Sequence, residues 1–289
     1  MKPTVAVLGA NGVFARHLLP RLIAAGFPVR ALVRRPDAAG VARRSGAEMR
    51  LADIFDRDGL TAALEGADIC VNLATSLPGP SGRGDFAQND RVRVEGVPVL
   101  IEACARAGVS RLLQQSISWV GAAGETLADE TSVYQPAHDG IGARAIRAAQ
   151  AMEETVRASG LDWIILRGGL FYGPGTGFDD DWYQRAAAGK LRLPGDGSNF
   201  VSLVHIADVA AAAVRAVEAW PSRETLIVCD DHPARWKDVF GFIAAAAGAP
   251  EPEAGGVARF PSFRMSNARA RVLLGWQPFY ADFRMGLAR

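Results

Sequence analysis

Residues 4–15 read Thr-Val-Ala-Val-Leu-Gly-Ala-Asn-Gly-Val-Phe-Ala, and the spacing of the small residues suits the holding of a pyrophosphate. An apolar run over 4–8 enters a turn with Gly9 and Gly12, and the turn opens an amphipathic stretch over 13–25. In such a strand–turn–helix unit the first glycine permits the tight turn and the second lets the backbone approach the phosphates. The N–H groups at the helix start then meet the negative charge. Ala15 stands where a third small residue lets helix and strand pack closely. Alanine- and glycine-rich sequences produce this string by chance, so its weight comes from its place directly after the first strand. The chemistry it implies is dinucleotide binding by Gly9, Asn11 and Gly12, with Val13 and Phe14 packing at the loop.

The end of the second strand selects the nicotinamide cofactor. An acid there accepts from a ribose 2′-OH, whereas an arginine pairs with a 2′-phosphate. The strand ends Ala31-Leu32-Val33-Arg34-Arg35-Pro36. Two guanidinium groups without an acid beside them favour NADP(H) over NAD(H), with Arg34 as the phosphate contact; the alternative is a solvated charged loop. Asp53 and Ile54, after the third strand, are also expected in the cofactor-binding set, and Asp53 has two possible roles. It either binds the adenine amino group or caps the next element.

The elements that position these residues alternate as βαβ units. Strands are expected over 4–8, 29–33, 47–51, 69–73, 111–116 and 163–167, with helices over 13–25, 38–45, 58–65, 90–107 and 141–159. Gly26, Gly66, Gly108 and Gly160 each follow a helix, where a left-handed cap is wanted, and Pro20 should kink the first helix. The expectation is an α/β fold, a doubly wound parallel sheet with a smaller C-terminal substrate lobe. The dinucleotide domain would cover 1–167, with 201–230 returning to it as a strand over 201–206, a helix over 207–220 and a strand over 225–228. Residues 168–200 and 231–289 would form the lobe.

A chain of 289 residues with 49% hydrophobic and 22% charged residues is ordinary for a globular enzyme. A net charge of +1 gives no reason to expect nucleic acid or an anionic membrane as partner. The sequence enters a strand within four residues and has no apolar run long enough to span a bilayer, which points to the cytoplasm. Cys70, Cys104 and Cys229 lack metal-ligand spacing and read as buried free thiols. Asp179-Asp180-Asp181 reads as a solvated helix start rather than a metal cluster. Phe171, Tyr172, Trp182, Tyr183 and Phe200 suggest an aromatic-lined cavity in the lobe.

With these motifs the chain resembles the extended or atypical branch of the short-chain dehydrogenase/reductase superfamily, the epimerase/dehydratase-like proteins. The resemblance rests on Gly9, Gly12 and Ala15; on Asn72-Leu73-Ala74 after strand four; and on Ser116-Ile117-Ser118-Trp119-Val120-Gly121 at strand five. It continues through the loop from Arg167 to Pro174, Val204 to Ala210, Ser266 to Arg269, and Leu274-Gly275-Trp276 with Pro278. It implies a Rossmann-type fold and adds Leu73, Ala74, Ser116 and Gly169 to the cofactor set. It also implies that Ser116 orients a substrate oxygen, that His205 is structural, and that a homodimer could form through the helices flanking strand five.

One part departs from the family. A Tyr-x-x-x-Lys pair on the helix after strand five usually supplies the proton while hydride moves. Anchored on Glu153, the pattern places Ala145 and Ala149 at those positions, and the helix holds no lysine. Tyr134, His138 and Asp139 precede the helix. Tyr134 and His138 join Ser116 as catalytic candidates, His138 because imidazole titrates near neutrality; the alternative is that they are exposed loop residues. A hydride acceptor such as an iminium ion, quinone-like ring or enone avoids the need for a buried proton donor. The functional expectation is therefore an NADP(H)-dependent oxidoreductase acting on a small organic substrate, without a metal. The alternatives are a catalytically silent cofactor-binding sensor or assembly protein, and a nucleotide-sugar epimerase or dehydratase.

Overall fold

The computed structural model describes residues 1–78 and 84–288. Seven strands form the main sheet: β1 (Val5–Leu8), β2 (Val29–Val33), β3 (Glu48–Leu51), β4 (Ile69–Asn72), β5 (Arg111–Ile117), β6 (Asp162–Gly168) and β7 (Glu224–Val228). Their spatial order is β3-β2-β1-β4-β5-β6-β7, a doubly wound arrangement. β1 lies at the point where the order reverses. It pairs in parallel with β2 and β4, so that Leu8 stands opposite both Leu32 and Asn72. Every residue of β1 and β2 is buried, as a parallel sheet covered on both faces requires.

Helices α1 (Val13–Ala24), α2 (Gly40–Ser45), α3 (Arg57–Leu64), α4 (Phe86–Arg91), α5 (Val97–Ala107) and α6 (Ile141–Ala158) belong to the crossovers between these strands. Helices α7 (Phe178–Ala187), α8 (Ile206–Ala219), α9 (Trp236–Ala246), α10 (Ala268–Leu274) and α11 (Phe283–Leu287) follow. Among the described residues no helix is long and apolar enough to cross a membrane.

The chain divides into two compact units. The first comprises Met1–Ser116, Arg147–Leu166 and Ala210–Thr225; the second comprises Ile117–Ile146, Arg167–Val209 and Leu226–Arg289. The first has an aliphatic core that includes Leu8, Leu32, Leu60, Leu100, Leu112 and Ile165. In it Arg30 is 6% exposed on β2, and its Nη1 donates to the carbonyls of Ala63 (3.2 Å) and Glu65 (2.8 Å). A buried guanidinium thus meets the open carbonyls at the end of α3. The second core is aromatic, with Trp182, Trp236, Phe240, Phe263 and Phe283.

Three local expectations change. The helix expected over 90–107 begins earlier, at α4, where the Asp85 side chain accepts from the Ala87 N–H. It then passes through a π-helical turn, Val92–Gly96, before α5. Pro98 sits at the start of α5 without an N–H to give to the preceding turn, so the ladder re-forms around it. The single strand expected over 201–206 is two short strands. Phe200–Val201 pairs with Ala234–Arg235, and Leu203–His205 with Leu170–Tyr172. The chain changes partner at the buried Ser202, whose hydroxyl accepts from the Met265 N–H at 2.9 Å. Gly26, Gly66 and Gly108 take left-handed conformations, but Gly160 is not among the glycines that do. Helix α1 continues through Pro20.

Candidate functional site

The carboxyl ends of β1, β4 and β5 in the first unit collect the groups that could hold a cofactor. Gly9 has φ +78°, and a Cβ built there would lie 2.8 Å from the Leu73 carbonyl and the Ala74 nitrogen. No side chain fits in that space. The segment after β4 is held by its own polar pair. Asn72 Oδ1 accepts from the Ala74 N–H at 3.0 Å, and Asn72 Nδ2 donates to Gln114 Oε1 at 2.8 Å. Both residues are buried. Helix α1 then starts at Gly12, which has no side chain to cap it, and its first turn carries no acid. A tight glycine cradle at an uncapped, acid-free helix start suits a dinucleotide pyrophosphate.

Gly9, Leu73 and Ala74 are therefore brought together. Asn11 and Gly12 are exposed beside them, while Phe14 and Ala15 are buried in the α1 packing. Asp53 turns its Oδ1 to the Phe55 N–H at 3.0 Å, closing a local turn; the cap of α3 is Asp56, whose Oδ1 accepts from the Gly59 N–H at 3.1 Å. Ile54 is buried and packs against Gly96.

Ser116 is 2% exposed and donates to Glu153 Oε1 at 2.6 Å. Glu153, 1% exposed, gives its other oxygen to Arg157 Nη2 at 2.7 Å. Arg93, in the π-helical turn, is also buried. Desolvation pulls its guanidinium down to about 10, opposed by attraction to Asp90 and Glu153. Arg93, Gln114 and the Ser116–Glu153 contact escaped the sequence reading. A polar residue closing the otherwise apolar β4 was the available signal for Asn72, whereas Gln114 stands mid-strand in β5 beside Gln115 and Ser116. Nothing in the spacing links residues 37 positions apart.

Tyr134 and His138 lie in the second unit. The Tyr134 ring is half-buried against the aromatic core, and its N–H donates to the Val120 carbonyl at 2.8 Å; His138 is exposed. Gly169, in the same unit, donates its N–H to the Val228 carbonyl, and a Cβ there would come within 2.6 Å of the Ser202 carbonyl. Close packing already requires glycine at that position. His205 Nδ1 accepts from the Ala207 N–H at 3.2 Å, which fixes its tautomer within the fold. Asp179, Asp180 and Asp181 occupy the first turn of α7, where Asp181 pairs with Arg185. Among the described residues no group of three or more His, Cys, Asp or Glu could hold a metal. The three cysteines are buried free thiols.

Comparison with known proteins agrees with this geometry. A family model described as NAD(P)H-binding matches residues 9–219. A 3-diazoavenalumate denitrifying reductase from Streptomyces sp is 36% identical over 308 residues, covering 99% of each chain. The solved structure of MoeE5 in complex with UDP-glucuronic acid and NAD is similar with a TM-score of 0.79 and 25% identity, covering 99% of this chain and 96% of that one. DesIV, a dTDP-glucose 4,6-dehydratase from Streptomyces venezuelae with NAD and TYD bound, shares the fold with a TM-score of 0.82 at 21% identity, covering 99% and 95%.

The expected preference for NADP(H) over NAD(H) is overturned by the MoeE5 structure, in which the bound cofactor is NAD. The physical reason lies just past β2. Arg34 is exposed, and Arg35 Nε is engaged by Asp37 Oδ1 at 3.4 Å. Asp37 thus stands as an acid close to the strand end, where the sequence reading counted two guanidinium groups with no acid beside them. From its parallel doubly wound sheet, its glycine cradle and these matches, the chain belongs to the NAD(P)H-binding family, within the extended, epimerase/dehydratase-like short-chain dehydrogenase/reductase superfamily, as an oxidoreductase-type enzyme.

Proposed function

We propose that the chain is an NAD(H)-dependent reductase whose small-molecule substrate accepts hydride without needing a proton from a side chain, and that a diazo compound is the best-supported substrate class. The observation that carries this reading is α6. Positions 145 and 149, one turn apart on one helix, are alanines, and Ala149 is fully buried. Bound NADH supplies the hydride. Gly9, Gly12 and the start of α1 would hold its pyrophosphate, with the Asn72–Gln114 pair fixing the neighbouring strap.

A ketone becomes an alkoxide on taking up hydride, and positioned acids supply about 10²–10⁴-fold in such reactions. An arenediazonium ion needs no acid at the hydride step. It takes up hydride at its terminal nitrogen to become a neutral diazene, which then gives its N–H proton to water, loses N₂ and is protonated on carbon by water. Charge and atoms balance without a protein proton. The 36%-identical Streptomyces protein, a 3-diazoavenalumate denitrifying reductase, supports the same class. Substrate recognition is assigned to residues 168–200 and 231–289 of the second unit, and a homodimer is expected in solution, to be checked by light scattering.

The test is turnover of benzenediazonium by the full chain with NADH. NADH consumption should match the benzene and the N₂ formed, one to one to one. NADH should bind more tightly than NADPH. Reduction of cyclohexanone at a comparable rate would show that a proton donor exists and overturn the reading. Tight NADH binding with no acceptor turned over would instead favour a catalytically silent binding protein.

A further inference from the structure

The partner of Ser116 determines what that serine can do. A carboxylate is an acceptor only, whereas a hydroxyl has one proton to give and two lone pairs. Glu153 pairs with Arg157 at 2.7 Å, and the buried Arg93 is attracted to it as well. Its remaining oxygen, Oε1, receives the Ser116 proton at 2.6 Å. Both residues are buried, so water does not compete for that proton. Resting on the proposed reductase reading, with Ser116 orienting a substrate group as the family resemblance implies, we propose that Glu153 is a positioning residue that makes Ser116 a hydrogen-bond acceptor only. The substrate class it selects carries a hydrogen-bond donor, such as a phenolic hydroxyl, near the hydride-accepting group.

This arrangement also accounts for the chemistry the site avoids. A serine that has given its proton to Glu153 cannot donate to a developing alkoxide, so ketones are disfavoured even where they fit. Hydride acceptors that end neutral lose nothing by it. Glu153 thereby acts on substrate choice through the direction of one proton, without touching the substrate.

Two pairs of probes test this. With NAD⁺-loaded protein, phenol should bind more tightly than anisole by about three- to tenfold, the value of one neutral hydrogen bond. Ser116→Ala should abolish the preference. In Glu153→Gln the amide can donate to Ser116 Oγ and release its proton. The preference should then shrink or invert, and cyclohexanone reduction should rise by roughly tenfold, a modest share of a full general-acid effect. Adding Ser116→Ala should remove that gain. Equal binding of phenol and anisole to the wild type would overturn the inference, whatever the turnover results. So would loss of stability in Glu153→Gln with the probe ratios unchanged, which is the mark of a purely structural role. If Glu153→Gln fails to fold, the phenol–anisole comparison in wild type and Ser116→Ala decides alone. Absence of diazonium turnover with the phenol preference intact would count against the proposed reaction only.

Discussion

The two units use buried polar groups differently. In the first, Arg30 fastens the end of α3, but other buried polar groups gather next to a glycine cradle no side chain can enter. Asn72 ends β4, Gln114 and Ser116 follow on β5, and Glu153 accepts from Ser116 and attracts Arg93. In the second, buried polar groups tie irregular chain to the core. Asp208, 4% exposed, accepts from the N–H groups of Phe279 and Tyr280 at 3.0 and 2.9 Å, while its own carbonyl receives Trp276 Nε1. Asn267 reaches the carbonyl of Cys229 and the carboxylate of Asp231, which also pairs with Arg271. The contrast teaches that buried polarity alone does not identify a site. Convergence at strand ends beside an open backbone does, whereas a carboxylate saturated by loop amides is a fastening.

The largest effect should come from filling the cradle. Gly9→Val meets both a left-handed backbone and atoms 2.8 Å away on the Leu73–Ala74 segment. NADH affinity should fall by more than about 100-fold, the consequence of several kcal/mol of strain and clash. Titration of intrinsic fluorescence with NADH checks it. Unchanged affinity would remove the cofactor from this turn.

Asp208→Ala asks the same question of the second unit and should give the opposite answer. Two amides lose a charged acceptor, at a cost of about 2–4 kcal/mol, which lowers Tm by roughly 5–10 °C. NADH affinity measured below the transition should stay the same. A loss of affinity at full stability would show that the Asp208 fastening also serves the cofactor, and the contrast would fail.

Much of the first unit was legible because its rules are local. The strand over 29–33 and the helix start at Val13 follow from apolar runs and a glycine turn, and Gly9 and Gly12 announce the cradle. What escaped depended on contacts distant in sequence or on one overlooked neighbour. The direction of the Ser116 proton is set from α6. The cofactor preference was misread because Asp37 folds back on Arg35 from beyond a proline. In the second unit the periodicity over 201–206 is that of one strand. Only the competing partners, 170–172 and 234–235, divide it at Ser202.

The smallest effect would sharpen the contrast by asking whether every buried acid of the second unit is a fastening. Asp230 is 2% exposed; Oδ1 accepts from the His232 N–H at 3.3 Å, and Oδ2 has no partner among the described residues. Burial pushes its carboxyl well above the usual range. The His232 amide opposes that shift, and Asp282, Asp231 and Asp208 add to it by repulsion. Tyr172, also raised by burial and by Asp230, keeps its hydroxyl protonated beside these acids. A group raised in the folded state contributes its full stability below the unfolded pKa, about 3.9, and loses it as pH rises toward the folded value. The wild type should therefore forfeit stability from about pH 4 upward. Asp230→Asn keeps the shape of the neutral acid but has nothing to ionise. It should be more stable than wild type at pH 7 by about 1–2 kcal/mol, or roughly 2–8 °C in Tm, with the gap closing toward pH 4. Urea unfolding at pH 4.5, 6 and 7.5 measures the gap directly. A substitution that destabilises equally at all three pH values would make Asp230 one more fastening, held by its charge like Asp208.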